Sequence, residues 1–148
     1  MKRRKEREFA LGILYACEYN SDPYSSLIER MDEEQKKHAS DFAVRIIKLC
    51  TEQKDDLDEA IVSKLQNWDY GRVAVIDRIL LRMAMVEFLY FDEIPPEVSL
   101  DEVIEISKIY STERSGKFIN GVLDALLKQL REENRLNKSG RGLISNLM

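Results

Sequence analysis

The sequence predicts an all-α protein, and three observations carry that reading. Apolar residues recur three and four positions apart rather than two, only 6 Gly and 3 Pro interrupt 148 residues, and hydrophobic residues make up 44% beside 34% charged ones. The spacing is that of amphipathic helices, and the composition fills a core while leaving a charged surface. One core usually organises roughly 100 to 200 residues, so a single domain is expected. Its bounds are read as 1–136, with 137–148 a mobile tail because the apolar spacing lapses there.

The elements follow in order. Phe9, Ala10, Ile13, Leu14 and Cys17 form one stripe and predict a helix over about Arg4–Tyr19. The Asn20–Pro23 segment is a turn, followed by a short helix over Tyr24–Met31. Phe42, Ala43, Ile46, Ile47 and Cys50 predict a longer helix over Glu33–Lys54, and Leu57, Ile61 and Leu65 mark another, ended by Asn67–Gly71. Trp68 in that segment reads as a packing anchor.

From Val73 to Phe91 apolar residues occupy nearly every side, which predicts the central buried helix. Asp77, Arg78, Arg82 and Glu87 interrupt it on an arc expected to stay wet or to meet a partner. Pro95 and Pro96 break the chain. Ser99 and Glu102 then have the spacing of a capping box opening a helix that runs to Tyr110. The last helix places Phe118, Ile119, Val122, Leu123, Leu126 and Leu130 on its inner face.

Charge is unevenly distributed under a net value of -4. The first eight residues carry Lys2, Arg3, Arg4, Lys5 and Arg7 against Glu6 and Glu8, and the end carries Lys128, Arg131, Arg135, Lys138 and Arg141 against Glu132 and Glu133. Cations in the opening turns oppose the helix dipole, so helix stability does not account for them. Basic ends on an acidic body suggest a local site for a polyanion.

Catalytic groups are nearly absent from the pattern, and no enzyme activity is expected. His38, the single histidine, lies in a charged stretch without a neighbour to orient it and reads as a surface residue. No phosphate-binding loop, dinucleotide fingerprint, zincin motif or nucleophile elbow occurs, and Asp55–Glu59 lacks the ligand spacing of an EF-hand. Neither a cofactor nor a metal is expected. Cys17 and Cys50 sit inside helical patterns and read as reduced thiols. Neither a signal peptide nor a run near the ~20 apolar residues of a membrane span is present, so a soluble cytoplasmic protein is expected.

The stretch Thr112–Gly121, TERSGKFING, stands out. A helix starting here presents free backbone amides, and Arg114, Ser115 and Lys117 would surround that end as a phosphate-sized anion site. A plain helix cap explains the same residues. Phe118 would either bury itself or offer a face to an unstacked base. Arg3, Arg4, Arg7 and Tyr15 of the first helix would add cations and an aromatic face if packed beside Arg114–Phe118, the two ingredients of single-stranded RNA recognition.

Four segments together resemble the NusB family of transcription antitermination factors: Arg4–Tyr15 (RKEREFALGILY), Ile79–Phe88 (ILLRMAMVEF), the Ile94–Pro95 break and Lys117–Asp124 (KFINGVLD). Their order and spacing match across nearly the whole chain. The resemblance implies an all-α fold of about seven helices in two bundle-like halves. It also implies pairing with NusE, small-subunit ribosomal protein ten, to grip boxA-type single-stranded RNA of ribosomal RNA transcripts and modulate termination by RNA polymerase in an antitermination complex. Carried over residue by residue, RNA contacts would fall on Arg3, Arg4, Arg7, Tyr15, Arg114, Ser115, Lys117 and Phe118, and the NusE surface on Glu87 and Glu102.

Three positions depart from the family pattern. Glu6 stands where a small residue is usual, Gly12 replaces a usual glutamine, and Arg114 occupies a position that is often acidic or neutral. A homodimer is compatible with the pattern. Two other readings stay open: a helical protein-interaction scaffold that needs no RNA, and a NusB-like accessory module of ribosomal RNA maturation working beside a methyltransferase domain.

Overall fold

The computed structural model describes residues 2–65, 69–140 and 142–143. Eight α-helices occur among them and no strand. The chain sorts into two compact units, Met1–Gln53 and Lys54–Met148. Of the Asn67–Gly71 segment expected to end the helix marked by Leu57, Ile61 and Leu65, Asn67 and the expected anchor Trp68 lie outside the described residues.

In the first unit α1 spans Lys2–Glu18, α2 Tyr24–Glu29, α3 Glu33–Lys36 and α4 Asp41–Glu52. Helix α1 packs on α2 and α4. Its stripe at Ala10, Ile13 and Leu14 is buried, as are Ala43, Ile46, Ile47 and Cys50 of α4. The single helix expected over Glu33–Lys54 is broken. Ser40 adopts an extended conformation and its hydroxyl accepts a 3.1 Å bond from the Ala43 amide, so α4 starts afresh at an N-cap. The preceding turn has its own cap, Asp32, which accepts from the Gln35 amide at 2.9 Å. His38 is half-buried in the connection.

In the second unit α5 spans Lys54–Val62, a single 3₁₀ turn covers Tyr70–Arg72, and α6 (Val75–Tyr90), α7 (Pro96–Tyr110) and α8 (Glu113–Glu132) follow. Helix α6 packs on α5, α7 and α8, and α7 packs on α8. Every residue from Ile79 to Phe88 is buried, which confirms α6 as the central helix of this unit.

The charges on α6 do not form the wet arc the sequence suggested. Asp77, Arg82 and Glu87 are buried, and each has a partner from another segment. Arg82 Nε donates to Asp58 Oδ1 of α5 at 2.6 Å, and Tyr70 O–H donates to the same oxygen at 2.6 Å. Ser99 Oγ donates to Glu87 Oε1 at 2.7 Å, and Ser115 Oγ to Asp77 Oδ2 at 2.7 Å. A charge inside a core costs several kcal/mol unless paired in this way, so these bonds hold α5, α7 and α8 against α6.

The Ser99–Glu102 capping box is also corrected. Helix α7 opens at Pro96, with Pro95 as its N-cap, which leaves Ser99 inside the first turn and buried. Proline suits that first position because its missing N–H would lack a helical partner anyway. Helix α8 stops at Asn134, whose φ of 54° is left-handed, with the Arg135 amide bonding back to Leu130 O at 2.9 Å.

Beyond α8, Lys138 Nζ donates to the carbonyls of Glu87 at 2.9 Å and Phe91 at 2.7 Å, capping the end of α6. Burial holds the Lys138 ammonium below the usual lysine range, with Glu87, Asp92, Glu93 and Glu97 pulling the other way. The Ser139 amide donates to Asp92 O at 3.0 Å. Part of the segment read as a tail therefore lies along α6, while Arg141 and 144–148 are outside the described residues. Among the described residues neither cysteine forms a disulfide; Cys50 is buried and Cys17 half-buried. Among the described residues no helix is long and apolar enough to cross a membrane.

Candidate nucleic-acid interface

The start of α8 is built by hydroxyls. Thr112 is the N-cap, its Oγ1 accepting from the Ser115 amide at 3.3 Å. The Ser115 hydroxyl lies 2.8 Å from Ser111 Oγ and 3.1 Å from Thr112 Oγ1, and its proton goes to Asp77. The first turn of α8 is thus fixed to the first turn of α6, and Arg114 and Lys117 project from it as exposed side chains. Phe118, one residue on, is half-buried.

These residues edge an open cavity of about 870 Å³ within the second unit. Its wall includes Arg114, Ser115, Lys117 and Phe118, all expected as contacts, and adds Lys64, Arg72 and Asp77. Four cations therefore line this space together with the apolar Leu65, Val73, Val122 and Ala125. That volume suits a small organic ligand or a nucleotide.

Arg72 is held in place by its own turn. Asp69 accepts from the Gly71 amide at 2.9 Å, and the neighbouring Tyr70 ring carries the Arg78 guanidinium 5.6 Å from its centre. Burial, and then the Asp58 hydrogen bond, push the Tyr70 phenol far above its ordinary range, so it stays protonated as the donor.

In the first unit the cationic start of α1 is ordered over an aromatic ring. The Arg3 guanidinium lies 3.9 Å and that of Arg7 5.1 Å from the centre of the Phe42 ring. Arg3 is exposed and Arg4 half-buried, whereas Arg7 is only 2% and Glu6 only 4% exposed. Tyr15 is 41% exposed and pairs with Tyr19, ring centres 5.1 Å apart. Of the residues expected to meet NusE, Glu87 is wholly buried on Ser99, and Glu102 is half-buried on α7.

The structure thus gathers Arg114, Ser115, Lys117 and Phe118 at one cavity, and Arg3, Arg4, Arg7 and Tyr15 along one helix of the other unit. Sequence reasoning missed Lys64, Arg72 and Asp77 as neighbours of that cavity. Arg72, a cation directly before Val73 where the central apolar run begins, was a weak signal; nothing local pointed to the other two.

Cations around an aromatic-edged hollow at a helix start, in an all-helical chain, define a class of helical proteins equipped to hold a phosphorylated, ring-bearing ligand. Residues 4–128 match the model of the NusB family. The chain belongs to that family. It is 46% identical over 145 residues to the transcription antitermination protein NusB of Salinibacter ruber, covering 96% of this chain and 91% of that one. The structure of T. maritima NusB aligns with a TM-score of 0.73 at 36% identity, over 85% of this chain and 90% of that one. The fold is also that of a chain in the crystal structure of antitermination factors NusB and NusE in complex with dsRNA, with a TM-score of 0.70 at 21% identity over 86% and 97% of the two chains.

Proposed function

We propose that this protein is a transcription antitermination factor that binds boxA-type single-stranded RNA of ribosomal RNA transcripts together with NusE, acting in the cytoplasm on RNA polymerase and catalysing no reaction. The observation that carries the reading is the cavity at the start of α8, which Lys64, Arg72, Arg114 and Lys117 line together with Phe118 and apolar residues. Membership of the NusB family supports it, as does the complex of NusB and NusE with dsRNA that contains a chain of the same fold.

In this reading Arg114 and Lys117 hold phosphates and Phe118 stacks on a base. Arg3 and Arg4 add phosphate contacts from α1, and Tyr15 a second aromatic face. Arg7 and Ser115 act from within: Arg7 beside Phe42 supports the cationic face, and Ser115 fixes the turn that presents Arg114 and Lys117. Glu102 meets NusE directly, and Glu87 orders α7 beneath it through Ser99.

The test is fluorescence anisotropy of a labelled boxA RNA, with and without NusE. Log affinity is expected to fall by roughly 0.7 per tenfold rise in salt for each phosphate neutralised. Lys117→Ala is expected to weaken binding and flatten that slope by about one phosphate's share. RNA binding indifferent to salt and to both Lys117→Ala and Arg114→Ala would refute the reading.

A further inference from the structure

Away from the cavity, the cations of the second unit are mostly matched by acids. Arg82 pairs with Asp58, Lys108 with Glu105, Arg131 with Glu97 and Arg135 with Glu133. The four cations that line the cavity, Lys64, Arg72, Arg114 and Lys117, form no side-chain hydrogen bond or ion pair among the described residues. Glu133 feels the charge of Lys64, but its carboxylate is bonded to Gln129 and Arg135. Asp77, the carboxylate of the cavity wall, is buried: Oδ2 accepts from Ser115, and Oδ1 has no hydrogen bond among the described residues. It pairs with none of the four.

Unmatched cations gathered at one hollow repel one another and raise the local concentration of an anion. They come from three segments. Arg114 and Lys117 stand on the first turns of α8. Lys64 sits in the turn that closes α5, its amide bonding to Ile61 O at 3.0 Å. Arg72 ends the 3₁₀ turn, which Tyr70 fastens to Asp58 of α5 at 2.6 Å. The dipole of α5 accounts for a cation at its end. It does not account for the exposed Arg72, nor for the meeting of both with the α8 cations at one cavity.

We propose, resting on the RNA-binding reading above, that Lys64 and Arg72 are further phosphate-binding residues: the single strand held by Arg114 and Lys117 continues along the cavity and gives neighbouring phosphates to the end of α5 and the 3₁₀ turn. A strand carries one phosphate per nucleotide, so cations from three segments are engaged by successive nucleotides rather than by one. Each added contact releases counterions and steepens the salt dependence of binding. Because the turn that carries Arg72 is already tied to α5, little backbone ordering opposes the contact.

The experiment follows labelled boxA RNA binding to the intact protein by anisotropy across a salt series, with each fold verified by circular dichroism. Lys64→Ala with Arg72→Ala is expected to bind on the order of tenfold more weakly at low salt and to lower the salt slope by about two phosphates' share, roughly 1.4. Lys64→Arg with Arg72→Lys keeps both charges and is expected to keep the slope. Lys128→Ala is the control: this exposed lysine of α8 also lacks a side-chain partner among the described residues but does not line the cavity, and its loss is expected to leave the slope unchanged. Natural affinity and slope in the alanine pair, an equal loss in the charge-keeping pair, or a slope lowered as much per charge by Lys128→Ala would overturn the proposal. Weakened binding in Arg114→Ala with Lys117→Ala would then leave the RNA-binding reading standing. Binding that ignores both alanine pairs would overturn the proposal and the reading together.

Discussion

Ser115 Oγ donates to Asp77 Oδ2 across 2.7 Å, a bond between residues 38 apart in sequence that fastens the first turn of α8 to the first turn of α6. Both side chains are buried, and Ser111 and Thr112 complete the network from the other side. The orientation of Arg114 and Lys117 depends on this joint.

Ser115→Ala removes the donor and leaves the Asp77 carboxylate buried with neither oxygen bonded. The expected cost is about 1 to 3 kcal/mol in urea unfolding, the usual penalty for stranding a buried polar group. The double variant Ser115→Ala with Asp77→Ala is expected to cost less than the two single changes added together. Strict additivity would show that the bond does not couple the helices.

Tyr70 gives the protein a dependence on alkaline pH. Its pKa in the folded state is raised by burial and by the Asp58 carboxylate, so its contribution is complete below the unfolded value of about 10 and is lost as pH rises from there toward the folded value. Stability measured by denaturant titration is expected to decline above pH ~10 more steeply in the natural protein than in Tyr70→Phe. Identical slopes would contradict the assignment.

Breaking the Arg82 and Asp58 pair is expected to be among the most damaging single changes. The Arg82 side chain is 7% exposed, and Asp58 also receives Tyr70. Asp58→Ala takes from the buried Arg82 guanidinium the carboxylate that accepts from its Nε and Nη2, a change for which a loss of up to about 3 to 5 kcal/mol is expected. A change in melting behaviour within the range of ordinary surface substitutions would show that the pair is dispensable.

Gly12 lies exposed inside α1, and a Cβ placed there meets nothing within 4 Å. Gly12→Ala is therefore expected to stabilise the protein by about 0.5 to 1 kcal/mol through helix propensity alone. Gly142 is the opposite case: a Cβ there would lie 2.0 Å from the Asp92 carbonyl oxygen. Gly142→Ala is expected to lift the segment that follows α8 from α6, read as faster hydrogen exchange at the Ser139 amide, which donates to that same carbonyl. Unchanged exchange would mean that the segment adapts without detaching.

Much of the fold was legible because its determinants are local. The stripe from Ala10 to Leu14, the saturated run from Ile79 to Phe88 and the Thr112 start of α8 each declare a helix from a few neighbouring residues. The wet arc failed for a tertiary reason. Asp77, Arg82 and Glu87 looked solvated because their partners, Ser115, Asp58 and Ser99, come from other helices.

The site was legible to the same degree. Arg114, Lys117 and Phe118 are close in sequence and share one cavity. Lys64, Arg72 and Asp77 reach that cavity only through the packing of α5 and α6 on α8. The stacking of Arg3 over Phe42 joins two different helices, beyond any helical spacing, and so left no periodic trace in the sequence.

The most direct test of the central claim, that the α8 corner grips RNA, is the affinity of the paired variant Arg114→Ala with Lys117→Ala for labelled boxA RNA, measured across a salt series with its fold verified by circular dichroism. The expected result is binding at least about tenfold weaker at low salt, with the slope reduced by about two phosphates' share, roughly 1.4. A well-folded variant that binds with the natural affinity and the natural slope would place the RNA elsewhere on the protein and contradict the account.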